Sequence, residues 1–78
     1  MKTLSYHVML RWEPDDEVYM AWVLSLPGCV TFGKSIEEAL EMARDAIEIY
    51  VETLISHGEV VPSDESVIER TVKIVAHA

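Results

Sequence analysis

Apolar residues at three- and four-residue spacing (Ile36, Ala39, Leu40, Ala43, Ala46, Ile47, Tyr50 and Leu54) set the terms on which this chain can fold. That spacing predicts one amphipathic helix, with Glu41, Arg44, Asp45, Glu48 and Glu52 on its polar side. Ser35 stands where the helix needs an N-cap, and Glu38 follows three residues later to complete a capping box. Gly58 suits a left-handed C-terminal cap, and His57 beside it suits the negative end of the helix. A lone helix with a single apolar stripe must lie on something, and in a chain of 78 residues the partner is a sheet.

Strand patterns supply that sheet. From Leu4 to Trp12 apolar residues alternate with Ser5, His7 and Arg11, as in a half-buried strand. Glu13-Pro14-Asp15-Asp16-Glu17 is a turn, and Val18–Leu24 is a second strand. Pro27-Gly28 then leads into a brief third strand, Cys29–Phe32. Beyond the helix, Thr71–Ala76 alternates again, with Val72, Ile74 and Ala76 on one side. The helix is long enough for a crossover, so the last strand is expected to lie parallel to the first. The expected architecture is α+β, in the order β-β-β-α-β, with a mixed four-stranded sheet ordered 3-2-1-4 and one long helix on one face. On this arrangement Leu40→Ala or Ile47→Ala should each cost about 2–5 kcal/mol, because both would lie in the helix–sheet interior.

The second strand is apolar on both sides: Tyr19, Ala21 and Val23 on one, Val18, Met20, Trp22 and Leu24 on the other. With one helix available, one sheet face stays uncovered. Self-association through that face, with Met20 and Trp22 as its candidate residues, is therefore expected.

Repeats, low-complexity stretches and linkers are absent, so residues 1–78 read as one domain. Fourteen acidic side chains against six basic ones give a formal net charge of −8, which repels a phosphate backbone and attracts a basic protein. No direct nucleic-acid binding is expected. The single cysteine allows no internal disulfide, and no apolar run approaches the length of a signal peptide or a membrane span, so the expected location is the cytoplasm.

Catalytic chemistry finds no foothold. His7, His57 and His77 share no metal-ligand spacing, and Cys29 has neither an adjacent histidine nor a CxxC partner; it reads as a small buried hydrophobe. Ser25, Ser35 and Ser63 lie outside the G-x-S-x-G and S-x-x-K patterns, and the three glycines match no phosphate-binding loop. Adjacent carboxylates such as Asp15-Asp16 in a turn usually stay solvated. No catalytic residue, metal site or cofactor is expected.

One pattern spans nearly the whole chain. Tyr6-x-Val8 opens it, followed by Tyr19-x-Ala21-x-Val23, Leu26-Pro27-Gly28-Cys29, Thr31-x-Gly33, Ser35, Glu37-Glu38-Ala39, Ala46 through Tyr50 and Gly58-Glu59-x-x-Pro62-Ser63. In these motifs and their spacing the sequence resembles the HicB-type antitoxin family. Physics accounts for several positions: Pro27 and Gly28 suit a tight turn, and Gly33 is expected to hold a backbone conformation that other residues resist. The resemblance implies a partial ribonuclease-H-like fold, a dimer or tetramer, and a partner: a small basic toxin of the HicA type that degrades messenger RNA. Typical members carry a C-terminal DNA-binding domain, and this chain is expected to be a short form without it.

The acidic turn residues Glu13, Asp15, Asp16 and Glu17 are the candidate partner contacts. Two functional readings stand at this point: a toxin-neutralising antitoxin module, and an orphan homo-oligomer of the same superfamily without a toxin partner.

Overall fold

The computed structural model describes residues 3–77. The element order is β1 (Val8–Glu13), β2 (Val18–Val23), β3 (Val30–Gly33) and α1 (Ile36–Ser56). The three strands form an antiparallel meander with β2 in the centre. The fold is α+β, as expected, and the observed strands supply the 3-2-1 part of the expected order.

Register explains where β1 begins. Val8 pairs with Val23, the last residue of β2, so the alternating residues Leu4 to His7 have no ladder partner left. They stand outside the ladder, with Ser5 and His7 bonded to Ser63 and Asp64, and Tyr6 packs beside Val23, Leu26 and Cys29.

The helix starts and stops where its caps require. The Ser35 hydroxyl accepts the Glu38 N–H at 3.1 Å, while the Glu38 carboxylate accepts the Lys34 N–H at 3.0 Å, one residue earlier than a standard capping box. At the other end Gly58, at φ 68°, donates its N–H to the Ile55 carbonyl, and Glu59 donates to that of Leu54. Those two bonds make a Schellman cap.

The helix lies on the sheet face formed by Val8, Leu10, Tyr19, Ala21 and Val23. Ala39 and Ala43 press against Ala21, and further along Ala46, Ile47, Tyr50 and Leu54 pack on Val23, Leu26 and Cys29. Small residues at the first contact let the backbones come close. Gly33 carries this furthest: a Cβ there would sit 2.4 Å from the Ala39 nitrogen. Its φ is not left-handed, so the requirement is close approach and not the unusual backbone conformation expected from sequence.

Leu26-Pro27-Gly28-Cys29 is a plug as well as a turn. Leu26 is fully buried and Cys29 nearly so, Gly28 takes φ 83°, and the Pro27 carbonyl accepts the Tyr50 hydroxyl at 2.8 Å. Burial raises the Cys29 thiol pKa, in keeping with its reading as a small hydrophobe.

Thr71–Ala76 does not form the fourth strand. Residues 71–77 have no ladder partner, and Val72, Ile74 and Val75 are 82%, 84% and 83% exposed. The cause lies upstream. Asp64 is held against the chain near Ser5, and the Val67 N–H bonds back to the Asp64 carbonyl at 2.9 Å. The next residues, Val67 to Arg70, lie beside His7, Met9 and Leu24, away from the helix. Alternation identifies a segment fit to be a strand, but it does not supply an edge the segment can reach. Leu40 changes status for the same reason: without a strand beneath it, it is 42% exposed, so the large cost expected for Leu40→Ala does not hold for the single chain.

Candidate protein interaction surfaces

Successive strand residues point to opposite faces, so the helix covers one set and leaves the other. The set opposite the helix includes Met9 and Arg11 on β1, Val18, Met20 and Trp22 on β2, and Val30 and Phe32 on β3, with Val67 to Arg70 lying beside Met9. Paired positions bring Met9 opposite Trp22, Arg11 opposite Met20, Met20 opposite Phe32 and Trp22 opposite Val30. Phe32 is 51% exposed, Val30 is exposed too, and Met20 and Trp22 are half-buried. The Arg11 guanidinium lies 5.6 Å from the centre of the Trp22 ring, as a cation–π contact. Met20 and Trp22 thus sit together at the centre of an apolar patch that the single chain leaves open.

The acidic turn lies at one end of the sheet. Asp15, Asp16 and Glu17 are exposed at the β1–β2 tip, while Glu13 is half-buried and bonded to Arg11 at 3.3 Å. Glu17 adopts φ 53°, the left-handed region that favours glycine or asparagine. A glutamate thus stands where the backbone would prefer glycine or asparagine.

A buried carboxylate was not visible from the sequence. Asp64 is 2% exposed and ties three segments together. Its carboxylate accepts the Ser25 hydroxyl and, at 2.8 Å, the His7 N–H, while its own N–H donates to the Ser5 carbonyl at 2.8 Å. Nearby the Tyr6 hydroxyl donates to the Pro62 carbonyl. Burial alone would raise the Asp64 pKa, but the bonds from Ser25 and His7, with the His7 charge, outweigh it and hold the carboxyl below its usual value. Tyr6 is pushed up, first by burial and then by the Asp64 charge. All the groups on Asp64 are satisfied donors, so this is a latch that fastens the C-terminal segment to the sheet.

Among the described residues no three of the His, Cys, Asp and Glu side chains converge as a metal site, and no helix is long and apolar enough to cross a membrane.

The structure is thus a small α+β module with one packed sheet face, one open apolar face and an acidic tip. The chain belongs to the HicB-like antitoxin family of bacterial toxin–antitoxin systems, whose sequence model matches residues 6–77. It is 38% identical over 63 residues to a UPF0150 protein of Thermoplasma acidophilum, a match covering 81% of this chain and 90% of that one. A UPF0150 protein of Synechocystis is 35% identical over 65 residues, covering 83% and 81%. Among solved structures, the N-terminal domain of the Burkholderia pseudomallei antitoxin HicB is similar with a TM-score of 0.65 and 35% identity, over 73% of this chain and 66% of that one. The motif residues serve the fold: Leu26, Cys29, Gly33 and Ala39 pack, and Ser35 caps the helix.

Proposed function

We propose that this protein is an antitoxin that binds and masks a small, basic, messenger-RNA-degrading toxin of the HicA type, acts in the cytoplasm and catalyses nothing itself. Membership of the HicB-like antitoxin family supports the antitoxin role in general terms. The observation that carries the choice of a basic partner is the exposed acidic tip, Asp15-Asp16-Glu17, on a chain of formal net charge −8. Opposite charge steers encounter and fixes the register of a complex. Glu13 contributes less to this surface because Arg11 already neutralises it.

The open sheet face supports self-association, through Met20 and Trp22, as a second property of the same molecule. That face alone would serve equally in an orphan homo-oligomer without a toxin. Co-purification from the native host with a tag on this chain separates the two: the antitoxin reading expects a stoichiometric small basic protein, and recovery of this chain alone contradicts it.

A further inference from the structure

A groove of about 600 Å³ lies beneath the helix beside the segment Leu4–Val8 that leads into β1. Leu4, Tyr6 and Val8 form one wall, and Leu40, Ile47 and Val51 the other. β1 is an edge strand: only β2 pairs with it, and its outer edge from Val8 to Glu13 is open among the described residues. An open edge flanked by an apolar slot is the site a further strand would occupy.

The same chain carries a strand without a site. Thr71–Ala76 has a strand's alternation, no ladder partner, and apolar side chains more than four-fifths exposed at Val72, Ile74 and Val75. The Asp64 latch and the turn after it send this segment away from the groove. The molecule is extended as a result, with a radius of gyration of 14.9 Å. A compact chain of this length would have roughly 11–12 Å.

Resting on the self-association reading, we infer that the segment Thr71–Ala76 of a second copy fills this groove, pairing with β1, and that the exchange is reciprocal in a two-fold dimer. Lengths are compatible: the tail segment and β1 have six residues each, and the slot adjoins β1 at Val8. Period-two alternation places Val72, Ile74 and Ala76 toward the slot, opposite Leu40 and Ile47. The exchange removes an exposed apolar tail, an open strand edge and the half-exposed Leu40 in one step, by the symmetric logic of strand swapping. The completed sheet has the order 3-2-1-4, with its fourth strand drawn from the partner.

The test uses the full chain and light scattering at micromolar concentration. Wild type is expected to be a dimer, and Val72→Asp and Ile74→Asp are each expected to weaken dimerisation at least tenfold. Both positions are exposed in the single chain, so circular dichroism should be unchanged. A dimer that survives both substitutions but dissociates on Phe32→Lys overturns the strand exchange while leaving self-association intact. A monomeric wild type overturns both. As an independent check, a Val8→Cys, Ile74→Cys double variant should oxidise to a covalent dimer, and a purely intrachain crosslink contradicts the exchange.

Discussion

The two faces of this sheet are built from the same strands and are both apolar, yet only one is an interior. On the helix side the contacts are made by Ala21, Ala39, Ala43 and Gly33, whose small size lets helix and sheet backbones approach, with Leu26 and Cys29 closing the end. On the other side stand Met20, Trp22, Val30 and Phe32, large side chains of which Val30 and Phe32 are exposed and Met20 and Trp22 only half-buried. The first face is close-packed against its helix, whereas the second keeps large apolar groups accessible to solvent. Mutational cost should therefore divide sharply between the faces.

The largest effect is expected at Leu26, the plug at the end of the finished core. Leu26→Ala should cost about 2–5 kcal/mol in urea unfolding, because it deletes a fully buried side chain that its rigid neighbours cannot replace. A cost below about 1 kcal/mol would mean that the Leu26–Cys29 turn is not part of the core.

Next comes the Asp64 latch. Asp64→Ala should cost about 2–3 kcal/mol, since it strands the Ser25 hydroxyl and the His7 N–H inside the protein. Because the folded-state pKa is depressed, the latch contributes its full stability above the ordinary aspartate pKa, about 4, and loses it as pH falls through the lower folded value. Thermal melts should show wild type losing stability faster than Asp64→Asn in that acidic window, and parallel curves would contradict the depressed pKa.

Phe32→Lys, on the open face, should change unfolding free energy by no more than about 0.5–1 kcal/mol. A cost comparable with that of Leu26→Ala would erase the distinction between the faces.

Much of this fold was legible because local period and capping chemistry agree. The helix stripe, Ser35, Gly58 and the Pro-Gly turn each carry a short-range signal, and the two-sided apolarity of β2 announced an uncovered face. What escaped is long-range. Asp64 looks like an ordinary loop residue because its carboxylate partners, Ser25 and His7, lie 39 and 57 residues away in sequence. Gly33 looks like a turn glycine because its crowding comes from the first turn of the helix. Thr71–Ala76 shows its strand character plainly, but alternation says nothing about which edge it will meet. Of the candidate site, the acidic residues of the β1–β2 tip were visible in the sequence, and the left-handed Glu17 only in the backbone.

The central claim is that the acidic tip of a HicB-like module engages a basic toxin. It is tested most directly by expressing the co-purifying small basic protein with and without this chain and scoring growth. The account predicts growth arrest by the partner alone, rescue by wild type, and loss of rescue when Asp15 and Asp16 are both changed to Lys in a chain that still folds. Rescue undiminished by that reversal, or a partner whose expression leaves growth unaffected, would contradict it.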